Sequence, residues 1–106
     1  MSSYIRELLS GKALAYLDDE YVRNQRGEVL VSIDGNFVRD GVSGGLILAS
    51  LDGKFIREGA SGGNVIASIS GEYIREGASG GQVMYGVDSY LSDIEKCALT
   101  VAVLKK

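Results

Sequence analysis

The residues that could do chemistry are few, and their types exclude more than they suggest. With no histidine in 106 residues, the commonest general base and metal ligand is missing. That excludes a Ser-His or Cys-His nucleophile and a His-based zinc site within one chain. The single cysteine, Cys97, sits among apolar residues with only Lys96 as a basic neighbour, which points to a small buried filler rather than a reactive thiol. Asp18, Asp19 and Glu20 could together contribute to a hard-cation site, yet they fall where the chain must turn, and aspartate is favoured there for local hydrogen bonding. The Gly-rich linkers do not match a calcium-binding nonapeptide roll, because Gly62-Gly63 and Gly80-Gly81 are followed by NVI and QVM with no carboxylate. Nor do they match a phosphate cradle, since GASGG leads into a strand and carries no lysine. The expectation is therefore no catalytic residue, no metal and no cofactor.

What remains is a phrase of aromatic, aliphatic, Arg and acid that recurs at Tyr4, Tyr21, Phe37, Phe55 and Tyr73, and decays to YLSD at Tyr90. Aromatic rings and guanidinium groups together favour π contacts, cation-π contacts and protein recognition. Phe37, Arg39, Phe55, Arg57, Tyr73 and Arg75 are the candidate binding residues. The same face should carry Leu48, Ile66 and Met84, by strict alternation from the aliphatic core set. An aromatic and arginine ladder that merely stabilises the repeats is the competing reading.

The elements that position these residues form a tandem repeat of about 18 residues, clearest in the two copies from Ala49 to Met84. One domain over residues 1–106 is expected, with units starting near positions 4, 21, 37, 55, 73 and 90. Each unit reads as two short strands: Val65, Ala67 and Ile69 alternate with Ile66 and Ser68, and Ile74 then lies opposite Tyr73 and Arg75. The short interval Asn24 to Glu28 falls in the Gly-rich linker, which marks the linker as the adjustable part.

The dipeptides Asp34-Gly35, Asp52-Gly53 and Ser70-Gly71 turn the chain between the strands. If they are corners, the fold is an all-β solenoid or β-roll. If they close hairpins, it is an antiparallel meander that curls into a barrel or sandwich. Near-identity of consecutive units favours the solenoid, in which each unit meets only its neighbours. Against it, stacked coils would place the arginines in a row about 4.8 Å apart, repelling by roughly 1 kcal/mol per pair. The acids that follow them, Glu7, Asp40, Glu58 and Glu76, point to the other face of a straight strand.

The tail differs. Ser92 to Glu95 has the form of a capping box, and Ile94, Cys97, Ala98, Val101 and Leu104 fall on one helical face. Residues 92–104 are predicted to be a helical cap over the open apolar end of the repeats, with Lys105 and Lys106 suiting a helix C-terminus; the β-branched LTVAV also allows a final strand.

A net charge of −3 sets no field for nucleic acid. The apolar residues are never continuous for a bilayer's thickness, so no membrane is expected. One cysteine and an N-terminus without a secretory pattern suggest the cytoplasm. The motif at Ile33–Arg39, Leu51–Arg57 and Ile69–Arg75 resembles that of small bacterial proteins with tandem IDGx[FY][IV]RxG units, a resemblance that implies no activity. The functional expectation is a non-enzymatic structural or interaction protein acting through the aromatic and arginine face or a strand edge, with protein, possibly a second copy, as partner. The alternative is a small-ligand or anion binder, or an enzyme whose Arg and carboxylate site forms between subunits.

Overall fold

The computed structural model describes residues 3–42, 44–60, 62–77 and 81–104; Lys105, Lys106 and the middle of the last Gly-rich linker lie outside these residues. Ten strands precede one helix: β1 (Ser3–Glu7), β2 (Ala13–Asp18), β3 (Tyr21–Arg23), β4 (Val29–Asp34), β5 (Phe37–Asp40), β6 (Ile47–Asp52), β7 (Phe55–Glu58), β8 (Val65–Ser70), β9 (Tyr73–Glu76), β10 (Val83–Val87) and α1 (Asp93–Leu104). Each strand pairs antiparallel with the strands before and after it, and β1 closes against β10. The molecule is a closed barrel.

The solenoid expectation is overturned at the turns. Asp34 pairs with Phe37, so only Gly35 and Asn36 connect β4 to β5. Gly35, Gly53 and Gly71 have φ of 62°, 64° and 62°, while the residue after each lacks a positive φ. Positive φ at the first of two loop residues is the type II′ pattern, whose twist matches paired antiparallel strands. A rotationally repeated barrel asks the same of every unit, so near-identical repeats serve it as well as they would a solenoid. Closure also removes every strand edge, so strand addition at an edge is not available to a partner. Asp19 takes the glycine's place in the β2–β3 hairpin at φ 59°, a conformation costly for residues with a Cβ. Asp19→Gly is expected to raise stability by about 0.5–1 kcal/mol, read as a rise in the thermal midpoint.

Strict alternation fails at one place in every unit. Ile56 pairs with Ala67 but Arg57 pairs with Val65, so Ile66 is an extra residue, a β-bulge. The same shift singles out Leu14, Leu30, Leu48 and Met84. All five pack against the buried core rather than beside the aromatic rings, which corrects the placement of Leu48, Ile66 and Met84 on the outer face. The bulge carbonyls are used as well: Gly41, Gly59 and Gly77 donate their N–H to Leu30, Leu48 and Ile66 at 3.0, 3.0 and 3.1 Å.

The helix begins with the capping box read from the sequence. Ser92 N–H donates to Glu95 Oε1 at 2.9 Å, and Glu95 N–H donates to Ser92 Oγ at 3.3 Å. It does not cap an open end. Lys96 to Ala102 are all buried, so protein surrounds the helix on every side. At its start, Lys54 Nζ reaches Asp93 at 3.2 Å and Lys96 Nζ donates to the Gly71 carbonyl at 2.7 Å, both at hairpin tips. At its end, Val101 and Leu104 share a recess with Leu48, Ile66 and Glu58 at the linker mouth. The helix therefore runs through the lumen from one mouth to the other. Eight strands leave an interior that side chains alone can fill, and ten leave more. Ala15, Ala49 and Ala67, all fully buried, give the helix its room.

Candidate functional site

On the outer wall, cross-strand pairing assembles the repeated side chains into rows. Phe37 pairs with Ser50, which pairs with Arg57. Phe55 meets Arg75 across Ser68 in the same way, and Tyr21 meets Arg39 across Ser32. Tyr73 meets Arg6 across Gly86, and Tyr4 meets Arg23 across Tyr16. Five rows thus circle the barrel, and in four of them the middle residue is small. At Tyr21, Phe37 and Phe55 the register joins the aromatic ring to the arginine of the next unit rather than to that of its own phrase, whereas Tyr4 also meets its own Arg6. The candidate residues Phe37 and Arg57 come together, as do Phe55 and Arg75; Arg39 is joined by Tyr21, and Tyr73 by Arg6.

The serines floor these clefts. Ser32, Ser50 and Ser68 are buried, and Ser32 Oγ finds no hydrogen-bond partner among the described residues, so its role there is its size. The cleft between Phe37 and Arg57 has a volume of about 550 Å3 and is also lined by Asn36, Asp52 and Ala60. A cleft around Ser32 and Arg39 repeats it one unit earlier, with Glu20 and Asp34 in place of Asn36 and Asp52.

Three of the arginines are held at two points. Arg23, Arg39 and Arg57 donate from Nε to Asp18, Asp34 and Asp52, each at 2.8 Å. From Nη1 they donate to the carbonyls of Gly27, Gly45 and Gly63 at 2.7, 2.9 and 3.0 Å. Arg75 makes the carbonyl bond, to Gly81 at 3.0 Å. For Arg23, Arg39 and Arg57 the charge compensation thus comes from the aspartate that precedes the turn. With about a third of each arginine exposed and half or more of each aspartate, such a pair is worth at most about 1 kcal/mol. Its effect is to fix the guanidinium's direction. A five-residue spacing across a two-residue turn puts the pair diagonally on one face, and this was the signal that could have identified the aspartates from sequence.

The rings do not form a continuous ladder. Among the described residues the ring contact is Tyr4 with Tyr16, centroids 6.2 Å apart, and Arg6 lies over the Tyr4 ring at 5.1 Å. Along the series Phe37, Phe55 and Tyr73 each ring stands two strands from the next, roughly 9.6 Å, too far to stack. Tyr73 is the most open of the three, at 44%. Leu8, Leu9, Val42 and Leu46 are also exposed, on the linkers. Val42 and Leu46 replace the Ala60 and Asn64 of the next unit, a substitution that alignment of the repeats makes visible.

Cys97 is fully buried, and burial pushes its thiol up to about 12 from the ordinary 9.0. Above pH 9 the unfolded chain releases this proton while the folded one retains it, so the stability contribution present below pH 9 is lost as the pH rises toward 12. The loss should amount to about 1.4 kcal/mol per pH unit, measured as the difference in denaturant midpoint between the protein and Cys97→Ala. Among the described residues no three of Cys, Asp and Glu gather as metal ligands, and no helix is long and apolar enough to cross a membrane.

A family model described as a 6-fold beta flower protein matches residues 5–106. No curated protein and no solved structure matches the chain.

Proposed function

Because the chain belongs to the 6-fold beta flower family, whose description carries no activity, we propose from its own surface that it is a non-enzymatic binding scaffold. It engages protein through the outer wall, and the first partner to test is a second copy. The observation that carries this is the fivefold row of aromatic, small residue and arginine. It sets Phe37, Phe55 and Tyr73 beside clefts whose guanidinium groups are already oriented. A wall whose rows repeat around the barrel can meet its own copy about a two-fold axis, with each ring entering a cleft of the other molecule. A closed barrel offers no edge, so contact must run through side chains. Action in the cytoplasm belongs to this reading. An intersubunit enzyme is less supported, because Arg39 and Arg57 already spend their donors on aspartate and a backbone carbonyl.

Sedimentation velocity from about 10 μM to 1 mM tests it. Concentration-dependent association is expected, and Phe55→Asp with Tyr73→Asp should abolish it while the circular dichroism spectrum and melting transition persist. A strict monomer across that range, or association indifferent to both substitutions, would overturn it.

A further inference from the structure

The clefts on the outer wall share their strand register but not their charge. In the cleft of Arg39 the arginine is paired with Asp34, and Glu20 stands on the preceding turn, for a formal charge of −1. In the cleft of Arg57 the arginine is paired with Asp52, and the turn residue is Asn36, for a formal charge of zero. The third member follows by register. Ser68 pairs with Phe55 and Arg75, as Ser50 does with Phe37 and Arg57. Lys54 takes the place of Asn36, and Ser70 takes the place of Asp52. Among the described residues this cleft brings together Arg75, which has no acid beside it, and Lys54, which is paired with Asp93 of α1.

Arg75 is nonetheless posed like its siblings. Its Nη1 donates to the Gly81 carbonyl at 3.0 Å, the length of the Arg57 to Gly63 bond. That bond uses the far edge of the planar guanidinium, so Nε and Nη2 remain on the edge that in Arg23, Arg39 and Arg57 meets a carboxylate at 2.8 Å. Arg75 forms no ion pair among the described residues. Lys54 at the cleft's entrance is shared with Asp93 at 3.2 Å and stays 63% exposed.

We infer that the cleft of Phe55, Ser68 and Arg75 is a carboxylate-binding site, in which a carboxylate from outside the chain takes the position that Asp34 and Asp52 occupy in the sister clefts. Phe55 forms the apolar wall beside the carboxylate, and Lys54 adds a second, more mobile cation. A small molecule and an acidic side chain of a second copy offer the same carboxylate, and the recognition chemistry is the same. The site shares Phe55 with the protein-contact reading above but does not rest on it, because it needs Arg75 and the absence of an acid at position 70 but no contact from Tyr73.

The test is NMR observation of the arginine Nε–H groups during titration with sodium acetate, against sodium chloride at equal ionic strength. The Arg75 signal is expected to shift saturably, with half-saturation on the order of 10–100 mM, while those of Arg39 and Arg57 move less than about a tenth as far. Ser70→Asp supplies the carboxylate from within the chain. It should move the Arg75 signal toward that of Arg57, eliminate the acetate response and leave the fold intact. If the Arg75 signal instead shifts with protein concentration in the absence of acetate, and Ser70→Asp cancels this, the site stands and its carboxylate comes from a second copy. Equal shifts at all arginines, a response that does not saturate, or one that survives in Ser70→Asp overturns the site. Association that persists in Ser70→Asp while acetate binding is lost would uphold the protein-contact reading and this site separately.

Discussion

A chain ended after Ser92 is expected to lose its cooperative thermal transition, because the barrel without its helix encloses a lumen that its side chains cannot fill. Cys97, Ala98, Leu99 and Thr100 are completely buried, and Val101 and Ala102 nearly so. Removing them exposes the inner faces of Ala15, Ala49 and Ala67, which are too small to meet across the space. The outcome should be a compact but poorly packed state, with near-ultraviolet dichroism lost and dye-accessible apolar surface gained. A graded version is Leu99→Ala, expected to cost about 2–5 kcal/mol. That is a large part of the roughly 5–15 kcal/mol by which a domain of this size is stable. A cooperative transition retained by the shortened chain, or a Leu99→Ala cost below about 1 kcal/mol, would mean that the strands close on themselves without the helix.

Gly63→Ala should be nearly as damaging, and for a different reason. A Cβ at Gly63 would overlap the backbone carbonyl oxygen of Glu58, and at Gly45 and Gly81 the carbonyls of Asp40 and Glu76. These obstacles are backbone, so no rotamer can relieve them. The clash would also pull on Glu58 N–H to Asn64 carbonyl at 2.9 Å, and on the Gly63 carbonyl that holds Arg57. About 2–4 kcal/mol of destabilisation is expected. The adjacent Gly62 is the control: it has open space for a Cβ and needs glycine only for its φ of 71°, so Gly62→Ala should cost about 1–2 kcal/mol. Denaturant midpoints of the two variants check the order. Equal costs would show that the linker yields at Gly63.

The period near 18, the two strands per unit and the capping box at Ser92 are local patterns, and each was legible because a strand, a turn or a helix start depends on residues within a few positions. The bulges were not legible. Ile66 looks like an ordinary outward residue of an alternating strand, and only the pairing of Arg57 with Val65 turns it inward. The clefts were not legible for a related reason: the pairing joins Phe55 to Arg75 and Phe37 to Arg57, across strands that a single phrase does not contain.

The amino-acid sequence by itself determined the unit, its turns, its helix and the lack of histidine-based chemistry, since these follow from residue type and short spacing. The tertiary structure decided that the turns close hairpins, that β1 meets β10, that the helix fills the lumen rather than covering an end, and which side chains share a cleft. Closure is a property of all ten strands at once: twist and register accumulate around the barrel until the first strand meets the last. No single repeat contains that information, because each is compatible with both an open stack and a ring.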